Sequence, residues 1–254
     1  MLTRLLTRSS PLLPLLSRST RLMSTSSVGL DVLGAKTALK SCDCVCFDVD
    51  STVITEEGID VLAEFLGKGE EVSAWTAKAM GGNVKFEDAL EARLGLIEPS
   101  KPKILECLEK HPFELSPGVQ KFIEMLHSKN VDVWLVSGGF RIMIEPIASV
   151  LNIPHENILA NNILHNADGD YTGFDPEEPT SRDLGKPAAL STIQSSKGHQ
   201  NIIMIGDGAT DAQAKPPAVA FIGYGGVQDR DAVREKADWF VYDFEELTDI
   251  VSSR

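Results

Sequence analysis

The sequence predicts an α/β protein: an open parallel sheet with helices on both faces and a small helical cap inserted after its first strand. Three observations carry that expectation. Short β-branched and aromatic runs alternate with segments of helical period, the pattern of a parallel sheet covered on both sides. About 55 residues of almost wholly helical pattern separate the first two strands, too long for a plain crossover. Two strands end in acidic motifs, at the edge of an open α/β sheet where ligands bind. The 254 residues allow one large domain, or a main domain carrying a smaller one, with a sizeable core.

The elements follow in order. Residues 1–27 hold Arg4, Arg8, Arg18 and Arg21 among many Ser and Thr, with no acidic residue before Asp31. That composition fits an organelle transit peptide; Pro11 and Pro14 would break the apolar core of a secretory signal. Residues 44–49 (CVCFDV) read as a buried strand. From 57 to 111 the period is helical, with apolar Ile59, Leu62, Ala63 and Leu66, then Phe86, Leu90, Leu94 and Ile97; Gly81-Gly82, Pro99 and Pro102 punctuate it. Pro117 opens a helix carrying Val119, Phe122, Ile123 and Leu126, with Ser116 as its expected N-cap. A strand at 131–136 should end at Ser137-Gly138-Gly139. A helix near 140–151, an extended stretch near 158–164 and a helix near 187–197 come next. Strands at 202–205, 219–222 and 239–241, and a closing helix from Phe244, complete the alternation.

Composition narrows the class. A net charge of −13 argues against nucleic acid as the main partner, because phosphate binding needs clustered Lys and Arg. Without the leader the balance is 20 basic to 37 acidic groups. No apolar run approaches the roughly 18 residues that would span a bilayer, so no membrane-embedded role is expected. The chain reads as a soluble, acidic, globular protein. Cys42, Cys44 and Cys46 alternate, which in a strand would line one face. With Cys107 far away and no answering pair, they read as free thiols of a reducing compartment, not as a zinc site.

The chemistry concentrates in four places. Asp48-Val49-Asp50-Ser51-Thr52 closes the first strand and aims two carboxylates at one region. Neighbouring carboxylates repel, so one can stay protonated as a general acid while the other, kept ionised by a cation, acts as a nucleophile. Gly206-Asp207-Gly208-Ala209-Thr210-Asp211 closes another apolar run. If the two strands are neighbours, Asp207 and Asp211 join Asp48 and Asp50, and converging acids call for a hard cation such as Mg2+. Ser137-Gly138-Gly139 offers a hydroxyl and backbone N–H groups to phosphate oxygens. Lys186, before a helix, can neutralise charge on a transferring phosphoryl group.

In order and spacing these four motifs resemble those of the haloacid dehalogenase superfamily, and within it the phosphoserine phosphatase family. Residues 51–60 (STVITEEGID), 79–83 (AMGGN) with Phe86 and Arg93, 136–141 (VSGGFR) and 203–211 (IMIGDGATD) extend the likeness over about residues 42–250. The resemblance implies a Rossmann-like core (28–56 and 113–254) with a helical cap (57–112). It implies Mg2+-dependent hydrolysis of phosphoserine to serine and phosphate, the last step of the phosphorylated route to serine. By likeness Asp48 is the nucleophile that forms an aspartyl-phosphate, and Asp50 protonates the leaving hydroxyl and then activates water. The ion would be bound by the Asp48 carboxylate, the Asp50 carbonyl and Asp207, with Asp211 in support. Ser137, Gly138, Gly139 and Lys186 would hold the phosphate, with Gly81 adding an N–H; Met80 and Phe86 would close the lid and Thr210 line the site. Glu57 would face the substrate ammonium and Arg93 its carboxylate, the one acid and one fork-like base that a zwitterionic substrate requires. The rivals are a sibling phosphatase for another small phosphomonoester and a receiver-like phospho-acceptor switch. The leader fits a plastid or a mitochondrial destination alike, and the chain is compatible with a homodimer.

Overall fold

The computed structural model of the chain describes residues 31–80 and 84–254; the expected leader lies outside them. Among the described residues the first half runs α1 (Val32–Ser41), β1 (Cys44–Phe47), α2 (Gly58–Phe65), α3 (Gly69–Met80), α4 (Phe86–Ile97), α5 (Lys101–Lys110), α6 (Val119–Ser128), β2 (Asp132–Phe140) and α7 (Arg141–Val150). The second runs β3 (Ile158–Asn161), β4 (Ile163–His165), β5 (Tyr171–Phe174), α8 (Gly185–Lys197), β6 (Ile202–Gly206), α9 (Ala209–Gln213), β7 (Ala220–Tyr224), α10 (Asp231–Arg234), β8 (Trp239–Val241) and α11 (Phe244–Ser252). No helix of the described residues is long and apolar enough to cross a membrane.

Six strands form one parallel sheet in the order β3-β2-β1-β6-β7-β8. β1 is its centre, and all four of its residues are buried, as a strand covered on both faces must be. The chain builds outward from β1 to β3, then returns to add β6 on the other side. That reversal opens a crevice beyond the carboxyl ends of β1 and β6, where such sheets bind ligands. One face packs Val45, Phe47, Ile203 and Ile205 against α1, α6, α7 and α11; the other packs Cys44, Cys46 and Met204 against α8 and α10.

The inserted stretch folds as α2 to α5 around its own apolar cluster, which also takes in Phe140 and Met143 from the end of β2 and the start of α7. Two neighbouring backbone segments join it to the sheet. Thr55 N–H donates to Glu114 O at 3.0 Å and Ser116 N–H to Val53 O at 2.9 Å, flanking a bridge between Ile54 and Leu115. A β4–β5 hairpin leans on the cap, with Lys101 N–H donating to Gly169 O at 2.8 Å.

Several local expectations are corrected. Gly118, at φ 80°, caps α6 in place of Ser116, because the chain must turn through a left-handed residue to enter the helix. Cys42 precedes the strand and packs with the α1 layer, so only Cys44 and Cys46 share a face; all four thiols are free. β2 does not stop at Ser137 but runs to Phe140 through a register shift. The stretch near 158–164 splits, β3 joining the main sheet and β4 the hairpin. α8 begins at Gly185, which puts Lys186 inside the helix.

The floor of the core is aromatic. Phe244 stacks on Tyr224 at 4.5 Å and on Phe122 at 5.9 Å, with Phe47 edge-on to Phe122. Phe244→Ala should therefore cost about 3–5 kcal/mol, read as a lower urea midpoint at unchanged slope; a loss under about 1 kcal/mol would show that this cluster can collapse around the gap.

Candidate active site

Asp48 stands one residue beyond β1 and Asp207 one beyond β6. Asp48 N–H continues the ladder between those strands, donating to Ile205 O at 2.9 Å. The ladder fixes the two side chains as neighbours, and Asp211 in α9 completes the group: one oxygen from each of Asp48, Asp207 and Asp211 lies within 4.8 Å of the others. Thr52 ties the two strand ends together, its hydroxyl donating to Asp207 Oδ1 at 3.1 Å. Gly206 is required here by space, since a Cβ would lie 2.2 Å from the Asp211 carboxyl carbon. The donors are all hard carboxylate oxygens, which fit a divalent cation of the Mg2+ class better than a thiophilic metal.

Lys186 is the buried counter-charge. Its Nζ lies 2.7 Å from Asp48 Oδ2 and also bonds Asp211 Oδ1, while Asp211 Oδ2 accepts from Gly208 N–H at 2.8 Å. Burial alone would lower the ammonium pKa, but Asp211 and Asp48 outweigh it and hold Lys186 above the ordinary lysine range. Burial, then Asp48, raises Asp207 to about 6 against the pull of Arg230 and Lys186.

Asp50 has the environment of an acid. Burial first, then Glu57, then Asp48, push its pKa well above the usual carboxylate range. Repulsion between Asp48 and Asp50, the cause expected from sequence, is thus only the third. Gly58 N–H at the start of α2 donates to Asp50 Oδ1 at 3.0 Å and fixes the carboxyl. Its other oxygen faces β2 so closely that a Cβ at Gly139 would come within 3.0 Å of it.

The Ser137-Gly138-Gly139 segment is held from below. Asn161 Nδ2 donates to Gly138 O at 2.8 Å, and Thr180 Oγ1 donates to Asn161 Oδ1 at 2.9 Å. Ser137 Oγ accepts from Gly139 N–H at 2.9 Å, which leaves its own O–H to donate. The cap lies over this segment: a Cβ at Gly138 would sit 3.0 Å from Phe86 Cζ. Phe86 N–H donates to Asp183 Oδ1 at 3.3 Å and Asp183 N–H to Glu87 Oε2 at 3.2 Å, docking α4 on the core.

Glu57, at the N-cap of α2, accepts from the Ser51 hydroxyl at 2.7 Å; burial raises its pKa, opposed by that bond. Arg93, in α4, donates from Nε to Ala89 O at 3.1 Å, and Asp60, Glu57 and Asp50 are the carboxyls whose charges act on it. Thr210 stands in the first turn of α9 beside Gly208. Gly81 and the Met80 side chain lie outside the described residues. In the sequence Ser51 and Thr52 are legible only as members of the 48–52 motif, without contacts of their own, and Arg230 goes unread. Arg230 Nη1 donates to Asp207 O at 2.9 Å and to Asp207 Oδ2, and its Nη2 lies 3.8 Å from Glu57 Oε1. The available signal was its place in the loop after a strand of the parallel sheet, at the ligand-binding edge.

A haloacid dehalogenase-like hydrolase family model matches residues 45–214. The chain is 54% identical over 207 residues to the chloroplastic phosphoserine phosphatase of Arabidopsis thaliana, covering 81% of this chain and 70% of that one. It is 48% identical over 205 residues to the phosphoserine phosphatase of Bos taurus, covering 81% and 91%. A solved phospho-aspartyl intermediate analogue of phosphoserine phosphatase superposes with a TM-score of 0.72 at 28% identity, over 84% of this chain and all of that one.

Removing the ammonium tests the buried pairing. Lys186→Met should cost about 3–5 kcal/mol in chemical denaturation of the metal-free chain, because it strands two carboxylates. Adding Asp211→Asn should restore part of that loss. Additive losses in the double variant would mean that the two groups are not coupled.

Proposed function

The chain belongs to the haloacid dehalogenase-like hydrolase family, and from that premise we propose that it hydrolyses O-phospho-L-serine to L-serine and phosphate, with Mg2+, by way of a phosphoryl group carried on Asp48. The observation that carries the reading is a nucleophile next to a buried cation: Asp48, at the carboxyl end of the central strand, 2.7 Å from Lys186. A receiver-like switch would need no acid two residues after its acceptor, and Asp50 has the raised pKa of one.

The chemistry divides into two halves. A bond forms from the Asp48 carboxylate to phosphorus as the bond from phosphorus to serine Oγ breaks, and Asp50 gives its proton to that oxygen. Asp50, now ionised, takes a proton from water, whose oxygen attacks phosphorus and releases the Asp48 carboxylate. Lys186, the Ser137 hydroxyl and the backbone at Gly138 and Gly139 orient the phosphoryl oxygens and offset their charge. The Asp48 carboxylate, the Asp50 carbonyl and Asp207, with Asp211 in support, would hold a divalent cation, which would supply positive charge beside the transferring group.

Substrate choice rests on the cap, residues 57–112 over a core of 28–56 and 113–254. Glu57 takes the ammonium and Arg93 the carboxylate, Met80 and Phe86 close the lid and exclude bulk water, Gly81 adds an N–H to the phosphate, and Thr210 of the core lines the site. A generic phosphomonoester would bring no ammonium to Glu57 and no carboxylate to Arg93. All these residues belong to one chain, whether or not it dimerises. The reaction makes serine at the end of its phosphorylated route. Residues 1–27 act as a transit peptide to plastid or mitochondrion, a reading that the chloroplastic relative supports.

Phosphate release from a panel of phosphorylated metabolites should be fastest with phosphoserine and abolished by chelation. Arg93→Ala should lower kcat/KM for phosphoserine about ten- to a hundredfold, the worth of a hydrogen bond to a charged group, yet barely change turnover of an aryl phosphate. Equal losses on both substrates would overturn the serine assignment. Asp50→Asn should lower kcat about 10²–10⁴-fold, the usual span of general acid–base catalysis; a kcat within a few-fold of the parent would remove Asp50 from that role.

A further inference from the structure

We propose that Arg230 is the resident counter-cation of Asp207, and that it competes with a divalent ion for that carboxylate and so sets how tightly the ion is held. The inference rests on the cation site proposed above and names a residue outside its motifs.

Both carboxylate oxygens of Asp207 are already engaged. Oδ1 accepts from the Thr52 hydroxyl, a neutral donor that can rotate away. Oδ2 accepts from Arg230 Nη1, which bonds the Asp207 carbonyl as well. Among the described residues, Lys186 and Arg230 are the cations that touch Asp48, Asp207 and Asp211; Lys186 is committed to Asp48 and Asp211. Arg230 is therefore, among the described residues, the cation in direct contact with Asp207, whose side chain is only 3% exposed, while Lys186 acts on it from a distance. A guanidinium on Oδ2 and a divalent ion on either oxygen of the same carboxylate repel each other, so binding the ion at Asp207 drives Arg230 outward.

The two cations differ in their freedom to yield. The Lys186 side chain is 6% exposed and enclosed by α8 and the strand ends, whereas that of Arg230 is 30% exposed on the loop before α10. A guanidinium with an open path can move to water at small cost; a buried ammonium cannot. Arg230 is thus the exchangeable charge and Lys186 the fixed one. Without an ion, Arg230 keeps the site from repelling itself; with one, its displacement is subtracted from the ion's affinity.

The test uses the full chain, stripped of metal, as Arg230→Met and Arg230→Lys, with folding checked by circular dichroism. Mg2+ binding is measured by titration calorimetry, and thermal midpoints are taken in chelator and in Mg2+. Arg230→Met should bind Mg2+ about tenfold more tightly, within the usual range of coupling between two ligands. It should melt lower in chelator and show a larger rise on adding Mg2+. Arg230→Lys, which keeps the charge but not the double hydrogen bond, should tighten binding less. A folded Arg230→Met that binds Mg2+ as the parent does, or more weakly, overturns the proposal. If that variant does not fold, Arg230→Lys decides: tighter binding supports the competition, and equal or weaker binding refutes it. A parent chain that binds no divalent ion removes the cation site itself, and this inference with it.

Discussion

The structure depends on one electrostatic constraint: carboxylates that would repel one another are held together, out of water, by cations placed among them. Lys186 sits between Asp48 and Asp211 with both within hydrogen-bond reach, and Arg230 does the same for Asp207 from the rim. Removing one member of such a set leaves the others buried and uncompensated, far costlier than never having assembled them. The carboxylates are therefore gathered with their counter-charges before any ligand arrives.

The sheet makes that gathering possible at little conformational cost. Because the chain builds away from β1 and returns to β6, two sequence-distant strand ends become neighbours, and the ladder extends to Asp48 itself. Small residues then allow the close approach: Gly206 leaves room for Asp211, and Gly139 for Asp50. The cap closes from the other side through the paired segments around Ile54 and Leu115, bringing Glu57, Phe86 and Arg93 over the strand ends.

Much of this was legible in the sequence, and for physical reasons. The runs CVCF and IIMIG could only be buried strands, and the Asp-rich turns after them mark the ligand edge of a parallel sheet. The Asp48 and Asp207 positions follow from that; Lys186, before a helix, was legible only through the motifs that accompany it. What went unread depended on tertiary contact. Cys42 leaves its expected face because the strand has not yet begun, and Ser116 yields its capping place to Gly118, which can take the positive φ. Asp50 owes its raised pKa to enclosure more than to Asp48, and that enclosure comes from tertiary neighbours on both sides, Gly58 at the start of α2 and Gly139 in β2. Arg230 lies in no motif; its role comes from β7 lying next to β6, a pairing that local pattern does not specify.

The central claim, that this assembly readies the Asp48 carboxylate to take up the phosphoryl group, is tested most directly by trapping the intermediate. The enzyme would be mixed with phosphoserine labelled in its phosphoryl group, quenched in acid within a turnover and digested. The account predicts covalent label on Asp48, fading as labelled phosphate accumulates. Label on Asp50, or steady phosphate release with no label on protein at any time, would contradict it.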